Sequence, residues 1–153
     1  MTDAIDQAAG LADTDSRHAL RRQRPEFVAG AEACRASVLT PAEDLGLGAN
    51  LRAALAHRMA LLNKDEKIAT QYVVKEELSA VATGATDLPE PLATIARHVD
   101  MVTANPTAAT ADHIRKLEAA GLSAPQIVAL SELIAYVNFQ VRVVAGLRLM
   151  GAA

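Results

Sequence analysis

The chain is expected to fold as a single all-α domain of about six helices over residues 24–153, preceded by a flexible N-terminal arm over residues 1–23. Three observations predict this. Apolar residues recur at spacings of three and four along most of the chain, the repeat of a helix face. No stretch alternates apolar and polar residues as a half-buried strand does. The composition is 51% hydrophobic but only 3% aromatic, with no Trp, which suits small and branched aliphatics packed between helices. At 153 residues the chain is long enough for one proper core.

Residues 1–23 are polar and Asp-rich without a sustained period, and read as a loose arm or a segment that orders against a partner. Pro25 suits a first helical turn. Phe27, Ala31, Cys34 and Val38 then form one stripe. Thr40-Pro41 and Gly46-Leu47-Gly48 break it. Asn50 is the expected cap of the next helix, which carries Leu51, Leu55, Arg58, Met59 and Leu62. Asn63 interrupts the pattern, and a further helix is expected over 65–81 with Ile68, Tyr72, Val73 and Leu78 inward, ended by Gly84. Asp87 is the expected cap of a helix through Leu92, Ile95, Val99 and Val102, closed before Asn105-Pro106. Thr110 starts the fifth helix, and Gly121 supplies the left-handed residue that ends it. Ser123 and Gln126 form a capping box for the last and longest helix, about 124–149, with a wide face from Ile127 to Leu147.

Charge and cysteine content exclude several functions. A net charge of −3 argues against capture of nucleic acid, which needs a dense basic face. The short basic run of Arg17, Arg21, Arg22 and Arg24 reads as part of a solvated arm. A single cysteine, Cys34, rules out an intrachain disulfide and fits a reducing, cytoplasmic setting. The chain start lacks the basic region and apolar run of a signal peptide. Glu132, Asn138, Gln140, Arg142 and Arg148 interrupt the apolar stretch 127–149, so a buried helix is expected there and not a bilayer span. His18, His98 and His113 have no partner at metal-ligand spacing, and Glu-x-x-His, phosphate loops and nucleophile elbows are absent. No metal or cofactor is expected.

Thr110-Ala-Asp-His-Ile-Arg-Lys-Leu-Glu-Ala-Ala-Gly-Leu-Ser is followed by a long helix holding Asn138 and Arg142. In this order and spacing, roughly residues 45–150 resemble the carboxymuconolactone decarboxylase and alkylhydroperoxidase superfamily, whose fold is helical. The peroxidase branch carries Cys-x-x-Cys-x-x-x-His at a helix start. Here the matching positions are Asp65, Ile68 and Tyr72, after Asn63, and the family's upstream acid falls near Ala53. The chain is thus similar to a variant group that lacks the cysteine pair and accompanies, or is fused to, a peroxidase-like domain. A peroxidatic cysteine reacts as a thiolate, and a second cysteine resolves its sulfenic acid. Asp65 and Ile68 perform neither step.

The resemblance implies a non-catalytic interaction or structural subunit, a homo-oligomer working beside a cysteine-containing peroxidase-like protein. Two rivals stand beside it: an acid–base enzyme of the cysteine-poor decarboxylase kind, and a small-ligand binding module. Each candidate residue likewise has two readings. Asp65 and Glu66 either stabilise a helix start or, for Asp65, flank a pocket acid. Tyr72 is a core residue with its hydroxyl near the surface, or that acid. His57 faces solvent or joins the pocket as a base. Cys34 is a buried, inert thiol or a surrogate nucleophile. Asn138 and Arg142 share a helix face and are expected to serve a neighbouring helix end or a subunit contact, against ligand binding.

Overall fold

The computed structural model describes residues 1–152, and every regular element among them is helical. The axis of the fold is α9, Ala124–Ala152, which at 1.5 Å per residue runs about 44 Å. It starts as the sequence predicts: the Ser123 N–H donates to Gln126 Oε1 at 2.8 Å, and the Gln126 N–H to Ser123 Oγ at 3.4 Å. Ile127, Leu130, Leu133, Val137, Val141 and Val144 are buried along its length, on more than one face, because other helices pack around it. The helix is long and apolar enough to cross a membrane, but 56% of its most apolar window is covered by neighbouring helices.

Against α9 lies α4, Ala49–Leu62. Ala54, Ala56 and Ala60 are almost fully buried there, and so are the larger Leu55 and Met59. Small side chains let the backbones approach, while each fully buried Leu or Met contributes about 1.5–3 kcal/mol. The remaining long helices are α3, Pro25–Leu39; α7, Leu92–Ala104; and α8, Ala111–Ala119. Gly121, at φ +98°, turns α8 into α9.

Two arginines hold the packing from inside. Arg52 donates to the carbonyls of Leu47 at 2.6 Å, Val38 at 3.0 Å and Asp44 at 3.0 Å, which ties the loop 40–48 to α4. Arg58 pairs with Asp100 of α7 through two 2.6 Å bonds and donates to Val81 O and Ala85 O. Both guanidiniums are buried with every contact to an acceptor, the condition under which a buried charge is tolerated.

The helix count exceeds the expected six for two reasons. The segment expected to be a flexible arm forms α1, Ala4–Ala9, and α2, Ser16–Arg21. Ile5, Ala8 and Leu11 join the core, and Asp6 is fully buried between Arg21 and Arg22. The basic run is therefore not a solvated face: Arg21 also pairs with Asp3 at 2.9 Å, and Arg17 pairs with Asp15 and reaches Leu147 O of α9 at 2.8 Å. Local period was invisible because short helices held by long-range ion pairs do not need one.

The helix expected over 65–81 is likewise split, into a single turn α5, Glu66–Ala69, and α6, Ser79–Ala82, with a 3₁₀ turn Glu76–Leu78 before it. Thr70, Val73 and Val74 are β-branched and disfavour a helix. Two starts also move. Gly48, not Asn50, precedes α4. α7 begins at Leu92, directly after Pro91, and not behind Asp87.

Candidate functional site

The altered motif sits where α4 turns into α5. Asn63 ends α4, and Lys64 takes a left-handed conformation, φ +59°, to redirect the chain. That conformation carries a penalty of roughly 1–2 kcal/mol for a residue with a Cβ. Asp65 then caps α5, its Oδ1 accepting from the Ile68 N–H at 3.0 Å. The same carboxylate pairs with Arg148 of α9 at 2.6 Å, and Arg148 also donates to Ala8 O of α1 at 2.8 Å. Asp65 thus joins three helices. Its neighbour Asn63 donates to Met59 O at 2.9 Å and to Asn138 Oδ1 at 3.2 Å. Ile68 is completely buried in the core.

Tyr72 lies beyond the end of α5, so it does not continue the helix face of Asp65 and Ile68. It is buried to 3% exposure, and its hydroxyl donates to Gln140 Oε1 of α9. The hydroxyl is therefore internal, not near the surface as expected. Gln140 Nε2 donates in turn to Gln71 Oε1 at 2.7 Å, and Gln71 Nε2 to Ala4 O at 2.8 Å. A chain of hydrogen bonds runs from the motif through α9 to α1. The Arg35 guanidinium lies 5.5 Å from the Tyr72 ring centre and its Nη2 is 3.5 Å from Gln71 O. Burial pushes the Tyr72 phenol well above its ordinary pKa, and Arg35 opposes this only in part. Tyr72 is accordingly a neutral hydrogen-bond donor at physiological pH, not an acid poised to transfer its proton.

The packing of α9 brings a second tyrosine near the first. Tyr136 stands one turn before Gln140 on α9, with Tyr72, Arg35, Glu32 and Cys34 all near enough to act on its ionisation. Its hydroxyl is sealed from solvent without a hydrogen-bond partner, and so is Arg35 Nε. Sequence reasoning missed Tyr136 and Gln140 as a pair. Their signal was the i, i+4 spacing of two polar-tipped residues inside an apolar run, which puts both on one face where each needs a partner.

The other candidates disperse. His57 is half-buried on α4, its Nδ1 is sealed without a partner, and it makes no hydrogen bond to Asp65 or Tyr72. Cys34 is exposed, which corrects the buried thiol expected from its stripe. Only Ala31 and Val38 of that stripe reach the core, while Phe27 stays 57% exposed. Cys34 and Phe27 instead line an open apolar groove of about 620 Å³ between α3 and α9, with Ala135, Tyr136 and Phe139 on the far wall. Asn138 serves a helix end as expected, accepting from the residue that closes α4. Arg142 does not: it is exposed and has no hydrogen bond or ion pair among the described residues. One helical turn carries it past the neighbour that Asn138 reaches.

Among the described residues no three His, Cys, Asp or Glu side chains cluster as a metal site would require. No family model, curated protein or solved structure matches this chain.

Proposed function

We propose that this chain is a non-catalytic interaction subunit, a relative of the carboxymuconolactone decarboxylase and alkylhydroperoxidase superfamily that lacks the cysteine pair and works beside a cysteine-containing peroxidase-like partner. One observation carries the reading: each motif side chain is engaged in holding helices together. Asp65 caps α5 and pairs with Arg148, Ile68 is core, and Tyr72 is bonded to Gln140. Tyr72 borders a small cleft with Arg35 and Ala53, but its hydroxyl is turned inward to Gln140.

The exposed apolar residues favour assembly. Phe27 is 57% exposed and Phe139 43%, both lining the groove that holds Cys34, and Val128 of α9 is 57% exposed. The chain is proposed to pair with a second copy through this face. An acid–base enzyme is the lesser reading, because the Tyr72 phenol is sealed and its pKa is raised.

The test joins two measurements. Purified protein, with and without Cys34→Ser, is assayed for consumption of an organic hydroperoxide with a dithiol donor. Its mass in solution is measured by light scattering, with Phe139→Asp as comparison. The expected outcome is no turnover, and an oligomer that Phe139→Asp dissociates. Turnover abolished by Cys34→Ser, or conversion of an unsaturated lactone or acid that depends on Tyr72, would replace this reading with an enzyme. A strict 16.1 kDa monomer would remove the assembly role.

A further inference from the structure

On the side of α9 away from Tyr72, one buried histidine joins two clefts. His98 of α7 is only 7% exposed, and it lines both a groove of about 430 Å³ between α7 and α9 and a cleft of about 660 Å³ between α7 and α8. Its Nδ1 is sealed and has no hydrogen-bond partner. A proton on that nitrogen would be a buried donor with nothing to bond. The favoured tautomer carries the proton on Nε2, the nitrogen left to face the clefts. Burial, and then the nearby His113, hold the imidazole below its ordinary pKa, so it stays neutral and still donates.

The two clefts differ in chemistry. In the α7–α8 cleft, His113 Nδ1 accepts from the Thr110 N–H at 3.1 Å, which places its own proton on Nε2 as well. Lys116 and Arg97 line the same cleft. Arg97 is balanced by Glu90 at 3.1 Å, whereas Lys116 has no ion pair among the described residues. This cleft offers several donors and one uncompensated positive charge. The α7–α9 groove is walled by Val102, Pro106, Ile134, Phe139 and Val143, with Arg142 also in its lining. An apolar wall meets a donor-rich cleft at a histidine whose polar atom lacks a partner.

We infer that this junction binds a free amphipathic carboxylate, its anionic head taken by Lys116 and the His98 and His113 Nε2–H donors and its apolar body laid in the α7–α9 groove. Such pockets pair an apolar lining with a few convergent polar groups, which is the arrangement here. The inference uses none of the motif residues and shares only Ala135 and Phe139 with the groove beside Cys34, so Lys116→Ala and Ser131→Trp test it apart from assembly.

Decanoate, decanol and inorganic phosphate are the probes, each titrated into the full chain and followed by two-dimensional amide NMR. Decanoate is expected to shift α7, α8 and α9 resonances saturably. Decanol should bind about tenfold more weakly, equivalent to ~1.4 kcal/mol for the head group. Lys116→Ala, at an exposed position, should weaken decanoate several-fold, and Ser131→Trp, which fills the groove from an exposed position, should weaken it at least as much. Saturable phosphate binding of equal strength that Ser131→Trp leaves unchanged would overturn the apolar-body assignment. Equal binding of decanol and decanoate, or no saturable binding of either, would overturn the site.

Discussion

Two buried polar groups on opposite sides of α9, Tyr72 and His98, are handled in opposite ways. On one side Tyr72, Gln140, Gln71 and Ala4 O form a closed chain in which each donor has its acceptor. On the other, His98 is as buried as many core residues, yet its Nδ1 meets nothing and its ring borders two open clefts. Asn138, at the edge of that side, is satisfied through Asn63 and Ile134 O, but Arg142 one turn on is not. The lesson concerns how polar residues in a core are read. A closed network holds elements in place, and removing one member leaves another buried and unbonded. An open one contributes little to stability and keeps its donors for something else.

The comparison breaks or sharpens at Gln140 first. Gln140→Leu leaves the Tyr72 hydroxyl buried without a partner, at about 1–3 kcal/mol for that group alone, and frees Gln71 as well. At roughly 2–4 °C per kcal/mol for a chain of this size, calorimetry should show a fall of several degrees in Tm. An unchanged Tm would mean that the closed chain holds nothing together.

Acidification should open the same side from its N-terminal end. Burial raises the pKa of Asp6, but the bonds its carboxylate accepts from Arg22, Arg21 and the Asp3 N–H outweigh it, and the net shift is downward. Asp15 is lowered to about 2, chiefly by its bonds from Arg17. A carboxylate with a depressed folded pKa adds stability that is complete above its unfolded value, near 4, and is lost as pH falls through the folded value. Amide exchange between pH 4 and 2 should therefore show α1 and α2 losing protection before α4 and α9. Simultaneous loss throughout would show that the N-terminal helices are not a separable layer.

His98→Leu is expected to change stability by less than about 1 kcal/mol in either direction, since it removes a buried nitrogen that has no bond to lose. It should weaken decanoate all the same. A Tm drop as large as that of Gln140→Leu would erase the contrast between the two sides. The smallest effect belongs to Tyr136→Phe, which deletes an unpartnered hydroxyl. Chemical denaturation should find it within about 0.5 kcal/mol of wild type, against a clear loss for Tyr72→Phe. A matching loss in both would reveal a partner for the Tyr136 hydroxyl.

The candidate site was legible in part. Asp65 at a helix start was readable because a carboxylate there satisfies free N–H groups whatever the fold. The role of Tyr72 was not, because its partner Gln140 is distant in the chain and only α9 packing brings it near. Cys34 was misplaced for the same reason. Its stripe on α3 is real, but which half of it faces the core depends on how α3 sets against α9.

Sequence alone determined what local physics controls. The all-helical class, the capping box at Ser123–Gln126, the Thr110 start, the Gly121 stop and the Pro25 start depend on residues within a turn of one another. Tertiary structure decided everything that rests on distant partners. Asp6 can be buried only because Arg21 and Arg22 fold back onto it, which turns an apparent arm into two helices. The stretch after α5 leaves the helical path where β-branched residues weaken it and Tyr72 reaches Gln140. His98, one histidine among four in the sequence, shares an unmatched Nδ1 with His57 but borders two clefts, because α7, α8 and α9 meet around it.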